Sequence, residues 1–188
     1  INSELSKKNI LIIGFGRIGK ELAKRCNAFN MNVSIFDPFV EDKVIIQHKV
    51  TKINNIDEGL RKADYVSIHV PLTTETKNLI NINNLNIMKS NAFIINTSRG
   101  GIINEHDLNI ALSNSVIAGA GLDVLLDEPP KNNNPLIKNP KVIFSPHIAS
   151  HTKECWERHG KETIQNIFDF FNNTLNFKTV VNRNSIEL

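Results

Sequence analysis

The stretch "NILIIGFGRIG", residues 9–19, decides the fold of this chain. An apolar run over residues 9–13 is typical of a buried strand, and three glycines follow it in the spacing G-x-G-x-x-G. Helix-forming residues then extend over residues 17–29, with apolar side chains spaced along one face. A strand, a glycine turn and a helix in this order predict the first half of a βαβ unit.

The three glycines have the spacing of a turn that binds the phosphates of a dinucleotide. Gly14 permits the tight turn, Gly16 lets a pyrophosphate approach the backbone, and Gly19 lets the helix pack closely on the strand. N–H groups around Arg17 and Ile18 would then bind the phosphate charge at the positive end of the helix. Taken alone, the motif also fits a glycine-rich turn that binds no ligand.

An acidic residue, Asp37, ends the second predicted strand (residues 31–36), 18 residues after Gly19. An acid at this place accepts hydrogen bonds from an adenosine ribose and repels a 2′-phosphate, and no arginine stands beside it. The sequence therefore favours NAD over NADP as the cofactor. The alternative is a turn residue, because aspartate before a proline such as Pro38 is common in turns.

Short apolar runs alternate with helical patterns along the rest of the chain. Further strands are predicted at residues 65–70, 92–95, 116–124 and 142–145, and further helices at residues 56–62, 85–89, 105–113 and 153–171. Asn104 is the expected N-cap of the third of these helices, and Trp156 is expected in the core. The pattern predicts an α/β fold of the Rossmann-type, doubly wound class, with a mostly parallel sheet and helices on both faces.

The composition of the 188 residues is that of a globular domain, with 40% apolar and 22% charged residues. A net charge of +3 without blocks of like charge argues against nucleic acid and against a membrane surface. Cys26 and Cys155 lack metal-type spacing and are expected as buried or half-buried free thiols, which fits a reducing compartment. With no signal peptide or long apolar run in the sequence, we expect a soluble, cytoplasmic protein.

Three charged or titratable residues each follow a predicted strand: Arg99, Glu128 and His147. The carboxyl ends of parallel strands meet at one edge of the sheet, where ligands bind. One shared site explains the three positions better than three separate accidents. Each residue has an ordinary alternative: a turn arginine, a solvated acid before Pro129, and a packed histidine at a strand end.

Five motifs occur in order and together resemble the NAD-binding domain of the D-2-hydroxyacid dehydrogenase family. They are "GFGRIG" (14–19), "HVPLTTETKNLIN" (69–81), "NTSRGGIINEHDL" (96–108), "GAGLDVLLDEPP" (119–130) and "SPHIASHT" (145–152). Within the family, the chain resembles phosphoglycerate dehydrogenase in particular, partly through "FDPF" (36–39). The resemblance covers about nine-tenths of the chain.

The resemblance implies an oxidoreductase that transfers a hydride between NAD and a small D-2-hydroxy acid or 2-oxo acid. Arg99 matches the substrate-binding arginine, whose planar guanidinium suits a carboxylate. His147 matches the general acid/base of the reaction, and Glu128 matches its carboxylate partner. Positioned acid–base catalysis of this kind contributes about 10²–10⁴ in rate.

The same match assigns residues to the cofactor. Val70, Pro71 and Thr76 resemble positions of the cofactor-binding wall, and His69 is expected on the adenosine side. Positions near the nicotinamide amide are matched by Thr97, Ser98, Asp123, Ala149 and Ser150. We expect Gly100 and Gly101 to leave room for nicotinamide and substrate beside Arg99.

The domain organisation expected from the resemblance is a cofactor domain at residues 1–178 and a return segment at 179–188. That segment would lead towards a substrate domain that is largely absent from this chain. We therefore expect this chain to bind NAD(H) but to reduce 2-oxo acids weakly or not at all. A homodimer formed through the cofactor domain is also expected.

Two alternatives share the fold. Corepressors of the C-terminal-binding-protein type keep the same arginine, glutamate and histidine, so an NAD(H)-sensing binding protein stays open at this stage. The lack of an evident partner-docking segment argues mildly against it. Formate dehydrogenase is disfavoured, because its relatives carry glutamine where Glu128 stands.

Overall fold

A computed structural model of the protein describes residues 3–182. The chain divides into two compact units, Ile1–His147 and Ile148–Leu188, which are described separately. The predicted return segment at 179–188 lies outside the described residues from 183 onward. Across the part of the chain that is described, no helix is both long and apolar enough to cross a membrane.

The first unit is built on a seven-stranded sheet in the order β3-β2-β1-β4-β5-β6-β7. Every neighbouring pair of these strands is parallel. The strand order reverses between β1 and β4, and a crevice at such a point is where open α/β sheets bind ligands. The strands are β1 (Asn9–Ile13), β2 (Asn32–Phe36), β3 (Thr51–Lys52), β4 (Tyr65–Ile68), β5 (Phe93–Asn96), β6 (Gly119–Leu122) and β7 (Val142–Phe144).

Helices cover both faces of this sheet, as predicted. On one face, α1 and α2 pack around buried side chains such as Ile12 and Val33. On the other, α3, α4 and α5 bury a larger cluster that includes Leu11 and Leu108. The helices of the first unit are α1 (Arg17–Ala28), α2 (Asp42–His48), α3 (Ile56–Lys62), α4 (Ile82–Asn86) and α5 (Glu105–Ser113).

The predicted elements mostly match those observed, with informative differences. Asn104 caps α5 as expected, its side chain accepting from Asp107 N–H. The helix predicted at residues 85–89 instead occupies Ile82–Asn86, because Asn81 forms a capping box that starts it earlier. The strand predicted at 116–124 is shortened to Gly119–Leu122. α2 and β3 were not predicted, since α2 buries no side chain fully and β3 has only two residues.

The second unit contains one long helix, α6 (Lys153–Phe171), at the position predicted from its amphipathic pattern. Thr152 caps it by accepting from Cys155 N–H at 3.1 Å. The expectation that Trp156 lies in the core is wrong, because its side chain is 62% exposed and contacts the His151 ring. The cysteines are free thiols as expected, with Cys26 buried and Cys155 partly buried.

Candidate active site

The glycine loop follows β1 and places its backbone against the end of β4. Gly14 has φ +92°, and a Cβ there would lie 2.6 Å from the carbonyl oxygen of His69. A Cβ on Gly19 would collide with the Gly14 carbonyl oxygen. These two positions therefore exclude any side chain, and they hold β1, the loop and α1 in close contact.

Gly16 has a different environment, and it fits a phosphate. A Cβ on Gly16 would meet no atom within 4 Å, so the glycine leaves open space above the loop. Gly16 is the N-cap of α1, and the helix carries no capping side chain and no acid in its first turn. Backbone N–H groups at Arg17 and Ile18 thus stand at the positive end of a twelve-residue helix. This arrangement suits the pyrophosphate of a dinucleotide.

Asp37 lies directly after β2 and is tied to the glycine loop. Its Oδ2 accepts from Phe15 N–H at 2.7 Å, and its Oδ1 accepts from Phe39 N–H at 2.9 Å. Each carboxylate oxygen has a further lone pair for a ribose hydroxyl. The acid is therefore both a support of the loop and a candidate ribose acceptor.

The chain leaving β4 lines the same crevice. The Gly14 Cβ position also lies 2.8 Å from Val70 Cγ1, so Val70 borders the loop. Thr76 folds back to donate to Pro71 O at 2.6 Å, which closes the turn that follows. Burial lowers the pKa of His69, whose Nε2 lies 2.9 Å from Ser67 Oγ. Val70 thus lies beside the glycine loop, and Thr76 is engaged in holding its own turn. The cofactor roles predicted for these residues stay predictions.

The turn after β5, which carries Thr97, Ser98 and Arg99, is organised by Asn96. This buried side chain accepts from Ser98 N–H at 3.0 Å and from Ser98 Oγ at 2.8 Å, and it donates to Arg99 O at 2.8 Å. The exposed Arg99 guanidinium donates to Ser98 O at 2.6 Å. Sequence reasoning missed Asn96, and the signal available was a polar residue closing an apolar strand.

The expectation that Gly100 and Gly101 make room for ligands is wrong for Gly100. A Cβ on Gly100 would collide with the Leu125 carbonyl group, so this glycine lets two protein segments pack together. Gly101 has φ +79°, and its Cβ position lies 3.1 Å from Leu126 Cδ1. The Arg99 turn is thereby fitted against the start of the segment that carries Glu128.

Asp123 follows β6 and is almost fully buried. Its Oδ1 accepts from Ser145 Oγ at 2.5 Å, and its backbone carbonyl accepts from His147 N–H at 2.8 Å. Its own N–H donates to Asn96 O at 2.9 Å. Asp123 thus links the ends of β5, β6 and β7.

Glu128 and His147 form the one predicted catalytic contact that the structure records directly. Glu128 Oε2 lies 2.7 Å from His147 Nδ1, and Oε1 accepts from Leu125 N–H at 3.0 Å. The hydrogen bond with His147 lowers the pKa of the Glu128 carboxyl, against a smaller opposing effect of burial. An ionised carboxylate only accepts, so Nδ1 carries the proton in this contact and Nε2 carries the lone pair of the ring.

The backbone at His147 is held in an unusual conformation. Its φ of +54° lies in the left-handed region, which costs a residue other than glycine about 1–2 kcal/mol. Hydrogen bonds from its N–H to Asp123 O and to Ser145 O, at 2.8 and 3.1 Å, hold this conformation. Such strain is typical of residues whose side chains are aimed at a site.

A cavity of about 460 Å³ adjoins the Glu128–His147 pair. Its walls are mostly apolar, so the pair is flanked by surface that disfavours water. The lining residues are Asp123, Leu125, Glu128, Pro129, Pro130, Ile137, Phe144, Ser145, Pro146 and His147.

Some of the predicted site residues therefore lie at one edge of the sheet, while others belong to the second unit. Arg99, Glu128 and His147 all follow neighbouring strands at the carboxyl edge of the sheet, and two of them are in contact. Ala149 and Ser150 belong to the second unit, where they precede α6. Their predicted role at the nicotinamide amide stays a prediction.

Comparisons with a family model and with curated relatives indicate the same family. Residues 1–149 match the family described as D-isomer specific 2-hydroxyacid dehydrogenase, NAD binding domain. D-3-phosphoglycerate dehydrogenase of Methanocaldococcus jannaschii is 38% identical over 164 residues, covering 87% of this chain and 31% of that protein. Glyoxylate reductase of Thermofilum pendens is 40% identical over 166 residues, covering 87% of this chain and 48% of that protein.

Solved structures agree. D-lactate dehydrogenase with NAD⁺ from Lactobacillus jensenii superposes with a TM-score of 0.84 at 30% identity, covering 92% of this chain and 55% of that one. The chain thus spans about a third to a half of the length of the curated relatives described above. The chain belongs to the D-isomer specific 2-hydroxyacid dehydrogenase family, and it carries that family's NAD-binding domain.

Proposed function

We propose that this chain is the cofactor-binding part of an NAD-dependent dehydrogenase that interconverts a D-2-hydroxy acid and the corresponding 2-oxo acid. The observation that carries the proposal is the 2.7 Å contact between Glu128 and His147. It provides an oriented acid/base at the same sheet edge that bears Arg99 and the glycine loop. This combination suits hydride transfer to a carbonyl next to a carboxylate.

The roles follow from the chemistry of each side chain. Arg99 binds the substrate carboxylate through its planar guanidinium. His147 Nε2 gives a proton to the new hydroxyl during reduction and takes it back during oxidation. Glu128 holds the Nδ1–H tautomer and stabilises the imidazolium that forms during oxidation. Bound NAD(H) supplies or accepts the hydride.

The cofactor is held by the backbone around Gly14, Gly16 and Gly19, with Asp37 selecting NAD over NADP. Val70 and Pro71 form one wall of the crevice, and Thr76 shapes the turn behind it. Residues that bind the nicotinamide end are Thr97, Ser98, Asp123, Ala149 and Ser150.

The substrate that we propose first is 3-phosphoglycerate with its 2-oxo product. The similarity to D-3-phosphoglycerate dehydrogenase supports it, while relatives of comparable identity carry the names of other activities. A spectrophotometric NADH assay of the complete protein against a panel of 2-oxo acids, including 3-phosphohydroxypyruvate, tests both the reaction and the substrate. Absence of NADH oxidation with every member of the panel would refute the proposed activity.

The proposed organisation is a cofactor domain over residues 1–178 followed by a return segment at 179–188. The chain spans only 31% and 48% of the two curated relatives described above, so the remaining part of the substrate cleft would lie in a second domain. The 188-residue chain should then bind NADH yet turn over 2-oxo acids weakly or not at all. We also propose a cytoplasmic homodimer. Normal turnover by the isolated chain, or a monomer in light scattering, would contradict these points.

A further inference from the structure

We infer that Glu105, in the first turn of α5, is a positioning residue for the Glu128–His147 pair. The catalytic meaning of this inference rests on the proposed function, whereas the contacts themselves do not. Glu105 is partly buried and lies 23 positions before Glu128 in the sequence. Its side chain reaches the segment between β6 and β7 that carries Glu128.

Both carboxylate oxygens of Glu105 bind that segment. Oε1 accepts from Leu126 N–H at 2.5 Å, and Oε2 accepts from Asn134 Nδ2 at 3.0 Å. The two contacts hold this segment on either side of Glu128 in the sequence. Hydrogen bonds to a charged acceptor contribute more than those between neutral groups, so this tie is a strong one.

The tie leads directly to the histidine. Leu125 N–H, one residue before the group that Glu105 holds, donates to Glu128 Oε1 at 3.0 Å, and Glu128 Oε2 meets His147 Nδ1. Gly100 packs against the same Leu125–Leu126 peptide from the side of the Arg99 turn. Glu105 therefore anchors the backbone segment that supplies the hydrogen bond to Glu128 Oε1.

Asp107 provides a matched comparison within the same helical turn. Its Oδ2 accepts from Ile82 N–H at 2.9 Å and so holds the start of α4, not the Glu128 segment. Both acids lie in the first turn of α5, where a negative charge interacts favourably with the helix dipole. Removing Asp107 thus reproduces the loss of a carboxylate from this turn without releasing Glu128.

The test is nitrogen NMR of the His147 ring in this chain, with the Glu105→Ala, Glu105→Gln and Asp107→Ala variants. Wild type should show the Nδ1–H tautomer with a hydrogen-bonded Nδ1 proton. Glu105→Ala should lose that proton signal and mix the tautomers, while NADH affinity is unchanged. Glu105→Gln should retain the signal, because an amide oxygen can still accept from Leu126 N–H. Asp107→Ala should also retain it.

Retention of the signal in Glu105→Ala, or its equal loss in Asp107→Ala, would overturn the inference. So would a wild-type protein without the Nδ1–H signature. Should Glu105→Ala not fold, Glu105→Asp decides the question, since it keeps the charge but withdraws it from Leu126 and should weaken the signal. The spectrum needs no substrate, so failure of the NADH assay would refute the proposed activity without touching this result.

Discussion

The glycine loop and the Glu128–His147 pair lie on the same edge of one sheet, but they are built differently. The loop is a short run of backbone in which Gly14 and Gly19 leave no space for a side chain. The pair joins residues 19 positions apart through side chains that are 38% and 49% exposed. We expect added side-chain atoms in the loop to reduce stability or NADH binding. Loss of a hydrogen-bonding partner in the pair should instead reduce kcat, so the two effects can be measured separately.

The largest difference between the effect on kcat and the effect on NADH affinity should come from His147→Gln in the complete protein. Glutamine keeps a polar side chain but cannot exchange a proton near neutral pH, so kcat should fall by about 10²–10⁴. NADH affinity should stay as in wild type, because the proposed phosphate site is at the glycine loop, away from His147. Steady-state kinetics with NADH titrations by fluorescence measure both quantities.

A smaller fall in kcat is expected for Glu128→Gln, which keeps an acceptor for Leu125 N–H but removes the charge that, in the proposed mechanism, stabilises the imidazolium. A variant at either position that lost NADH affinity as severely as it lost kcat would show that the two regions are not separable.

Alanine variants of the glycine loop test the other region, and we compare Gly16→Ala with Gly14→Ala. The open space at Gly16 tolerates a methyl group, so stability should change by at most about 1 kcal/mol, as for a weak N-cap. NADH should bind about 10–100-fold more weakly if two phosphate hydrogen bonds are lost. Gly14→Ala should itself destabilise the fold by about 1–3 kcal/mol, because both its φ and its contacts exclude a side chain.

Urea unfolding and NADH titration of both variants decide between these outcomes. Equal destabilisation by the two alanines would mean that Gly16 serves the fold and not the phosphate. Unchanged NADH affinity in Gly16→Ala would contradict the proposal that the pyrophosphate binds at this position.

The same contrast explains what the sequence could predict. The strand, turn and helix around the glycine loop are predicted correctly, because they are consecutive in the sequence and each glycine has a local reason. The positions of Arg99, Glu128 and His147 at one edge of the sheet are predictable through topology, since each follows a strand, while their catalytic roles stay predictions. Asn96 and Glu105 were missed, because their roles depend on which loops meet in space, and Gly100 was assigned to ligand space when it accommodates Leu125.

A third effect concerns the choice of cofactor by Asp37. Asp37→Asn keeps one oxygen, which can still accept from Phe15 N–H and hold the loop, although the bond from Phe39 N–H is lost. The lost charge should reduce the preference for NAD over NADP by about tenfold, equivalent to about 1.4 kcal/mol. Binding of the two reduced cofactors measures the ratio, with Asp42→Asn, an exposed acid nearby, as the control. An unchanged ratio in Asp37→Asn would assign this acid to the loop alone.

The smallest effect is the pH dependence of stability that arises from Glu128. Its folded pKa is lowered, first by the hydrogen bond with His147, so its contribution is present above the ordinary value of 4.5 and is lost as pH falls below it. The side chain is 38% exposed and therefore screened, so we expect less than about 1 kcal/mol. Urea unfolding of wild type and Glu128→Gln from neutral to acidic pH should show a small difference in unfolding free energy, which disappears below pH 4.5.

Asp64 supplies the internal standard for this measurement. Burial raises its pKa, but hydrogen bonds from Lys89 and from Asn9 N–H outweigh burial, and the net pKa is lowered. Its side chain is only 12% exposed and braces the starts of β1 and β4, at the opposite edge of the sheet. Asp64→Asn should therefore open a wider gap from wild type than Glu128→Gln, closing over the same acidic range. A larger difference in unfolding free energy for Glu128→Gln than for Asp64→Asn would mean that the Glu128–His147 pair contributes mainly to the stability of the fold.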